Sequence, residues 1–467
     1  MNAAAFSYNI AGCSPRRQLG GILCGVPFCI HLFPQRVIQM RCPCFSTILL
    51  TAVICGFSVS AVATAEEAWP TFRGPERTGV SPDTGLLTAW PEDGPKLVWS
   101  TSGAGRGYAS LAIVDGKIYT LGDGLSTTDD EDEYVVCFDQ ATGKQLWASK
   151  TGEAWNSGKP TWQGSRSTPT VDGDRLYVVT PHGQLICFQT DGKEVWRRDI
   201  KEDLGGKKAD SWGYSESVLI DGDKLVCTPG GPQHTMAALD KMTGETLWTT
   251  ARAEDRGAGH ASMVIASIGG TKVYVQTTGS GAMGVRASDG KLLWTYDIKK
   301  TTAVIPSPIV RDDLVFFTAG YGTGGALLRQ VPTSNGEVKA EEIYPTTPAL
   351  GNKHGGVVLV DDHLYGDTED RGTPFCAELM TGDIVWKSRG SGRNSASMTA
   401  ADGYLYVRFS NGTMALAKAT PEEYEESGSF KVPGSGRNPS WAHPVVLDGK
   451  LYLREGDDVL CYDIADS

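Results

Sequence analysis

Five stretches of this chain repeat one phrase: an apolar run, a turn built on glycine, and then a tryptophan. They are Cys137 to Trp147, Cys187 to Trp196, Leu239 to Trp248, Ala287 to Trp294 and Leu379 to Trp386. Each reads as strand, tight turn, strand. Glycine supplies the positive φ that such a turn needs, and the Asp or Thr ahead of it can bond nearby backbone groups. One hairpin of this kind constrains little, but five in one chain define a repeat protein.

A longer unit surrounds the phrase. An Asp-Gly-type turn leads into a strand with a Leu-Tyr-like pair, and this occurs eight times: Asp115 to Tyr119, Asp172 to Tyr177, Asp221 to Val226, Gly270 to Tyr274, Asp312 to Phe316, Asp361 to Tyr365, Asp402 to Tyr406 and Asp448 to Tyr452. Copies spaced roughly 40 to 60 residues apart fit four-stranded propeller blades. The predicted fold is all-β, an eight-bladed β-propeller over residues 95–467.

The last unit stops at Val459 to Asp463 with no tryptophan strand, and Lys96-Leu97-Val98-Trp99 stands alone before the first. Pairing these two segments closes the ring and leaves no unpaired blade edge at the junction. Two copies depart from the pattern. The fifth continues from Asn335-Gly336 into Glu341 to Tyr344 without tryptophan. In the seventh, Pro421 to Tyr424 interrupts, and Phe430 to Val432 is expected to serve as the outer strand. Irregular outer edges are expected in both.

The N-terminal 65 residues read as an address. Phe45 to Val62 is almost continuously apolar or small, and Ala63-Thr64-Ala65 follows, just ahead of Glu66-Glu67. This is the pattern of a signal-peptide core with a small-x-small cleavage site. Met40-Arg41 would begin a signal of ordinary length, so residues 1–39 suggest an over-extended start. Ile54 stands where a lipoprotein signal at Cys55 would need a small residue. The expectation is export to the periplasm or beyond, with cleavage near Ala65 and no membrane span afterwards. Residues 66–94, rich in Pro and Gly, read as an extended lead-in with Trp69 and Phe72 as packing anchors.

The acidic balance narrows the partners. The chain has 43 basic and 55 acidic residues; four arginines and no acid precede residue 66, so the body after it carries a net charge of −16. Nucleic-acid binding, which draws its affinity from Lys and Arg on phosphate, is not expected. Six of the 11 cysteines fall in the leader. Of the five others, Cys137, Cys187, Cys376 and Cys461 hold equivalent places in different repeats, too far apart for the ~7 Å that a disulfide tolerates. They read, with Cys227, as free and inert. Asp129 to Glu133 reads as a solvated acidic insertion, since its spacing matches no calcium loop.

The Thr/Asp-Gly-Lys-x-x-Trp turns resemble the tryptophan-docking motifs of eight-bladed propellers related to pyrroloquinoline quinone (PQQ) dehydrogenases, and the likeness covers Leu97 to Asp463. The resemblance implies that Trp99, Trp147, Trp196, Trp248, Trp294 and Trp386 pack between neighbouring blades. It also implies a choice of function. One branch of the family holds PQQ and calcium over the central funnel; another is the non-catalytic propeller lipoprotein of the outer-membrane β-barrel assembly machinery, which is close in size. The dehydrogenase branch typically has a vicinal Cys-Cys pair, a Glu/Asn/Asp calcium set and a catalytic Asp. This chain has no Cys-Cys; Glu216 reads as a hydrated channel acid rather than a calcium ligand, and Asn394 is expected near the same funnel, without a third ligand.

Counting about seven residues back from each Asp turn gives the expected funnel rim: Tyr108, Ser165, Tyr214, His260, Ile305, His354, Ser395 and Trp441. Arg106, Trp162, Arg166, Trp212, Arg393 and His443 lie beside it. Aromatic, Arg and His side chains on connecting loops suit a binding face. The candidate ligand- or partner-binding residues are thus Tyr108, Arg166, Tyr214, Glu216, His260, His354, Arg393, Asn394, Trp441 and His443, with no catalytic or metal set. The function read from the sequence is an exported, monomeric, non-catalytic scaffold offering its funnel to a protein or carbohydrate-like ligand. The alternative is a PQQ-dependent alcohol or sugar oxidoreductase.

Overall fold

The computed structural model describes residues 68–125, 132–156, 162–436 and 438–466. The proposed leader and Asp129 to Glu131 lie outside the described residues. The remainder forms eight four-stranded antiparallel sheets, the blades of a propeller. In blade 1 the strands are Ala112–Val114, Lys117–Asp123, Glu133–Asp139 and Gln145–Gly152, running from the central channel outward. The middle strands of each blade are apolar on both faces because they are packed on both sides by neighbouring blades. The outer strands alternate exposed and half-buried positions.

Blade 8 is completed by the N-terminal strand Lys96–Ser102, which pairs antiparallel with Asp458–Asp463. Opposite ends of the chain thus share one sheet, and every blade has its full set of hydrogen-bonded neighbours.

The recurrent turn works as a socket. A Cβ placed on Gly143, Gly192, Gly244 or Gly290 would lie within 2.4–2.9 Å of the ring of Trp99, Trp147, Trp196 or Trp248, each from the preceding blade. Each of these glycines also has a positive φ. The turn therefore excludes a side chain for two separate reasons. The indole Nε1 of Trp99 donates to Gln140 O at 3.2 Å and that of Trp196 to Lys241 O at 3.1 Å. Trp294 and Trp386 use other acceptors, Gln330 Oε1 at 3.1 Å and Thr420 O at 2.9 Å.

In blade 5 the outer strand Val338–Thr347 has Tyr344 in the tryptophan's place. Its ring lies against Gly382, and its hydroxyl donates to Leu379 O at 3.2 Å. That strand pairs with two register shifts. In blade 7 the outer strand is Glu426–Lys431, with one shift. Trp90 of the lead-in fills the gap there, with ring centroids 5.5 Å from Phe430 and 5.8 Å from Tyr406.

The lead-in does more than pack on the outside. Pro70 O accepts from Val171 N in blade 2, and three residues later Arg73 donates to Val357 O beside blade 6, on the opposite side of the ring. Arg77 donates to Ser217 O, Met263 O and Val218 O at the inner edges of blades 3 and 4. Val80 then bridges to Ala400 of blade 7. A segment that touches inner strands on opposite sides within ten residues must cross the central channel. The lead-in closes it.

One sequence expectation changes here. Glu133 is not a solvated loop residue. It begins a strand, is fully buried, and accepts from Thr151 Oγ1 at 2.9 Å and Ser165 Oγ at 2.5 Å. Burial pushes its carboxyl up to about 8 against those two bonds. The five described cysteines are free and buried, and burial raises every one of their thiols.

Candidate functional site

The segments that precede the inner strands converge on a cavity of about 370 Å³ at one end of the channel. A relay of hydroxyls braces them. Thr168 Oγ1 accepts from Ser110 N at 3.0 Å, Ser217 Oγ from Thr168 N at 3.1 Å, Ser262 Oγ from Ser217 N at 3.0 Å and Ser307 Oγ from Ser262 N at 3.1 Å. Each bond crosses from one blade to the next, so the rim segments of blades 1 to 5 are tied in series. The signal was present in the sequence as a Ser or Thr two to three residues after six of the eight rim positions, His354 and Trp441 being the exceptions, and the sequence reading missed it.

Six of the predicted site residues line the cavity: Tyr108, Arg166, His260, His354, Trp441 and His443. Trp441 stacks on His354, centroids 4.3 Å apart and 19° from parallel, and leans on Tyr108 at 4.7 Å. Arg166 sits over the Tyr108 ring at 5.4 Å and donates to Gly164 O and Trp162 O at 2.9 and 2.5 Å. On the other wall Trp162 and Trp212 meet at 82° with centroids 6.0 Å apart. Lys353 caps Tyr321 at 4.7 Å and pairs with Asp370. Phe72 and Arg73 of the lead-in form the floor. Phe72, expected to be a packing anchor alone, contacts both the cavity and His443, at 4.7 Å.

Four predicted residues lie elsewhere. Tyr214 is buried between blades and donates its hydroxyl to Pro229 O at 3.0 Å. Glu216 is buried within the sheets, accepting from Thr228 N at 2.7 Å, Thr228 Oγ1 at 2.9 Å and Gln276 Nε2 at 2.9 Å. It is not a hydrated channel acid. The cause is the two-residue alternation of extended chain: Ser215 and Ser217 face the cavity, so Tyr214 and Glu216 face away. Arg393 and Asn394 are exposed outside the cavity, with Asn394 at φ 64°.

The histidines act as neutral hydrogen-bonding groups at neutral pH. Burial pulls His260 down to about 4, and His354 and His443 to about 3. His260 is fixed at both nitrogens, Nδ1 to Ser215 Oγ at 2.6 Å and Nε2 to Asp210 Oδ2 at 2.9 Å. His354 Nδ1 shares Ser395 Oγ at 3.0 Å.

The cavity does not offer what PQQ with calcium would need. Its one carboxylate among the described lining residues, Asp370, is committed to Lys353, while Glu216 points into the sheets. Calcium takes six to eight oxygen ligands, carboxylates foremost. No cluster of three or more His, Cys, Asp or Glu side chains able to hold a metal occurs among the described residues.

Fold and site together define a PQQ-like eight-bladed propeller with an aromatic, cationic cup on its central channel. Residues 131–388 match the family described as outer membrane protein assembly factor BamB, and the chain belongs to that family. Assembly factor BamB of Nitrosomonas eutropha is 25% identical over 294 residues, 60% of this chain and 62% of that protein. BamB of Bordetella pertussis is 23% identical over 328 residues, 68% and 72% of the two chains. The chain thus spans less than two thirds of the length of the first of these relatives. Among solved structures, quinohemoprotein alcohol dehydrogenase from Comamonas testosteroni superposes with a TM-score of 0.61 at 14% identity, covering 86% of this chain and 81% of that one. BamB from Moraxella catarrhalis gives 0.55 at 16%, covering 79% and 98%. At such identities these structures speak for the fold.

Proposed function

We propose that this protein is an exported, non-enzymatic propeller that presents its funnel-side loops to a protein partner in outer-membrane assembly. The observation that carries the reading is the cup's donor set. It sits where a quinoprotein would hold its cofactor, yet its one carboxylate is paired and its cations are in surplus. Family membership points the same way, because the curated relatives are named as assembly factors. The hydroxyl relay supports a fixed display surface, which lowers the ordering cost of binding a partner.

Co-purification of the tagged protein with outer-membrane assembly components from the native envelope tests this. Arg166→Ala combined with Arg393→Ala should weaken that capture without lowering Tm, and unchanged capture would exclude this face. Titration with PQQ and calcium tests the alternative; stoichiometric binding with dye-linked oxidation of an alcohol or sugar would establish the quinoprotein reading instead.

A further inference from the structure

We propose that the cup receives the terminal residue of an acidic glycan, a pyranose bearing a carboxylate. The proposal rests on the reading of the funnel as a binding face and names the ligand class of the cavity within it.

Size is the first constraint. The lead-in floors the channel, so the cup is blind, and about 370 Å³ admits a sugar ring with its substituents. A helix with its side chains, ~10–12 Å across, does not enter.

Charge is the second. Lys353 and Asp370 neutralise each other. Arg166 bonds carbonyl oxygens of Gly164 and Trp162, and neither it nor Arg73 makes an ion pair among the described residues. Two guanidinium groups without a direct ion pair among the described residues therefore face one cavity in a chain of net charge −12. Arg73 is 4% exposed, yet its Nη1 has no hydrogen-bond partner, and the same holds for Nδ1 of His443, 7% exposed. The two converge on Gly356, where a Cβ would fall 2.5 Å from Arg73 Nη1 and 3.7 Å from His443 Cε1. Buried polar groups left open are expensive, and here both belong to cup-lining residues whose common neighbour has no side chain.

Shape is the third. Two parallel rings would make a slot for a flat heteroaromatic. Trp162 and Trp212, at 82°, make a corner instead. A corner offers one indole face for the C–H face of a pyranose and a second wall for its edge. Arg166, bonded to the Trp162 carbonyl, stands beside that corner in reach of a ring carboxylate, and the open Nδ1 of His443 offers a partner to a hydroxyl.

Isothermal titration of the purified protein with digalacturonate, its neutral counterpart galactobiose, acetate and benzoate tests the proposal. Saturable binding of digalacturonate is expected, at least about tenfold tighter than galactobiose, which is about 1.4 kcal/mol. Trp212→Ala and Arg166→Gln should each weaken it about tenfold or more at unchanged Tm. Arg393→Ala, outside the cup, should leave sugar binding intact while weakening protein capture, so failure of one reading is distinguishable from failure of the other. Equal binding of the neutral disaccharide, binding of acetate or benzoate as tight as that of digalacturonate, or no saturable heat would each overturn the assignment.

Discussion

Arg77 is the sharpest test of how this ring is held. Its guanidinium is buried and donates to the carbonyl oxygens of Ser217, Met263 and Val218, joining blades 3 and 4 from inside the channel, with a further bond to Thr71 Oγ1 at 3.1 Å. Bonds to charged groups are worth about 1.5–3 kcal/mol each, so three sum to about 5–9 kcal/mol. Against this, burial pulls the group from its ordinary 12.5 to about 10, a cost of about 3 kcal/mol on the charged form. Replacement by methionine fills most of the volume and removes both terms. The expected loss for Arg77→Met is therefore about 2–6 kcal/mol. For a folded body of this size that lowers Tm by about 2–7 °C.

Denaturant unfolding is the assay, with the midpoint shifted and the slope unchanged. The exposed control Lys193→Met should stay within about 0.5 kcal/mol. A second readout is local. With the arginine gone, the backbone between Arg73 and Val80 should become cleavable by protease under native conditions, because its tie to blades 3 and 4 is lost. A loss below about 1 kcal/mol with an unchanged digestion pattern would refute the reasoning and reduce the lead-in to a passive strand on the surface.

Two further predictions use other parts of the ring. Gly290→Ala places a Cβ 2.4 Å from Trp248 at φ +74°, whereas Gly403→Ala, at φ +75°, meets nothing within 4 Å. The second should cost only the backbone term of about 1 kcal/mol, and the first at least about 2 kcal/mol; equal losses in denaturant melts would show that the socket contributes nothing. Stability against pH should peak between about 5 and 6.5. His260, His354 and His443 have folded values of about 4, 3 and 3, below the ordinary 6.5, so the unfolded chain binds more protons below that pH and acid destabilises. Glu133, Glu216 and Asp367 have folded values of about 8, 7 and 8. The folded chain therefore holds protons that the unfolded chain has released, and stability falls as pH rises towards 8. Melting curves across pH 4–8 check both flanks, and Glu133→Gln should flatten the alkaline one while costing little at pH 6.

The ring was legible because its determinants are local and repeated. A turn that needs glycine, an Asp ahead of it and a tryptophan after it leave the same trace wherever they occur, and the orphan strand at Trp99 named its own partner. The site was legible only in part. A rim position can be counted to within one residue, but in an extended chain one residue is the difference between facing the cup and facing the sheet, which is how Tyr214 and Glu216 stood in for Ser215 and Ser217. Glu133 was misplaced for a related reason, since a run of acids suggests solvent and nothing local reveals that its last member enters a strand beside Thr151 and Ser165. The lead-in carried the least signal of all. Its Pro and Gly break any periodicity, and the work of Arg73, Arg77 and Trp90 depends on blades 100 to 350 residues away.

That segment also ties the site to the fold. Without it the propeller would have an open channel, and the cup would have neither floor nor Arg73. The same few residues that join opposite blades thus set the depth and charge of the cavity, so a ligand held against Arg73 would bind only the closed ring and stabilise it by mass action. An open hydrogen bond on a buried guanidinium lowers the stability of the empty protein. Its retention against a cavity, beside the open Nδ1 of His443, is the pattern expected where binding, rather than packing, dictates the residue.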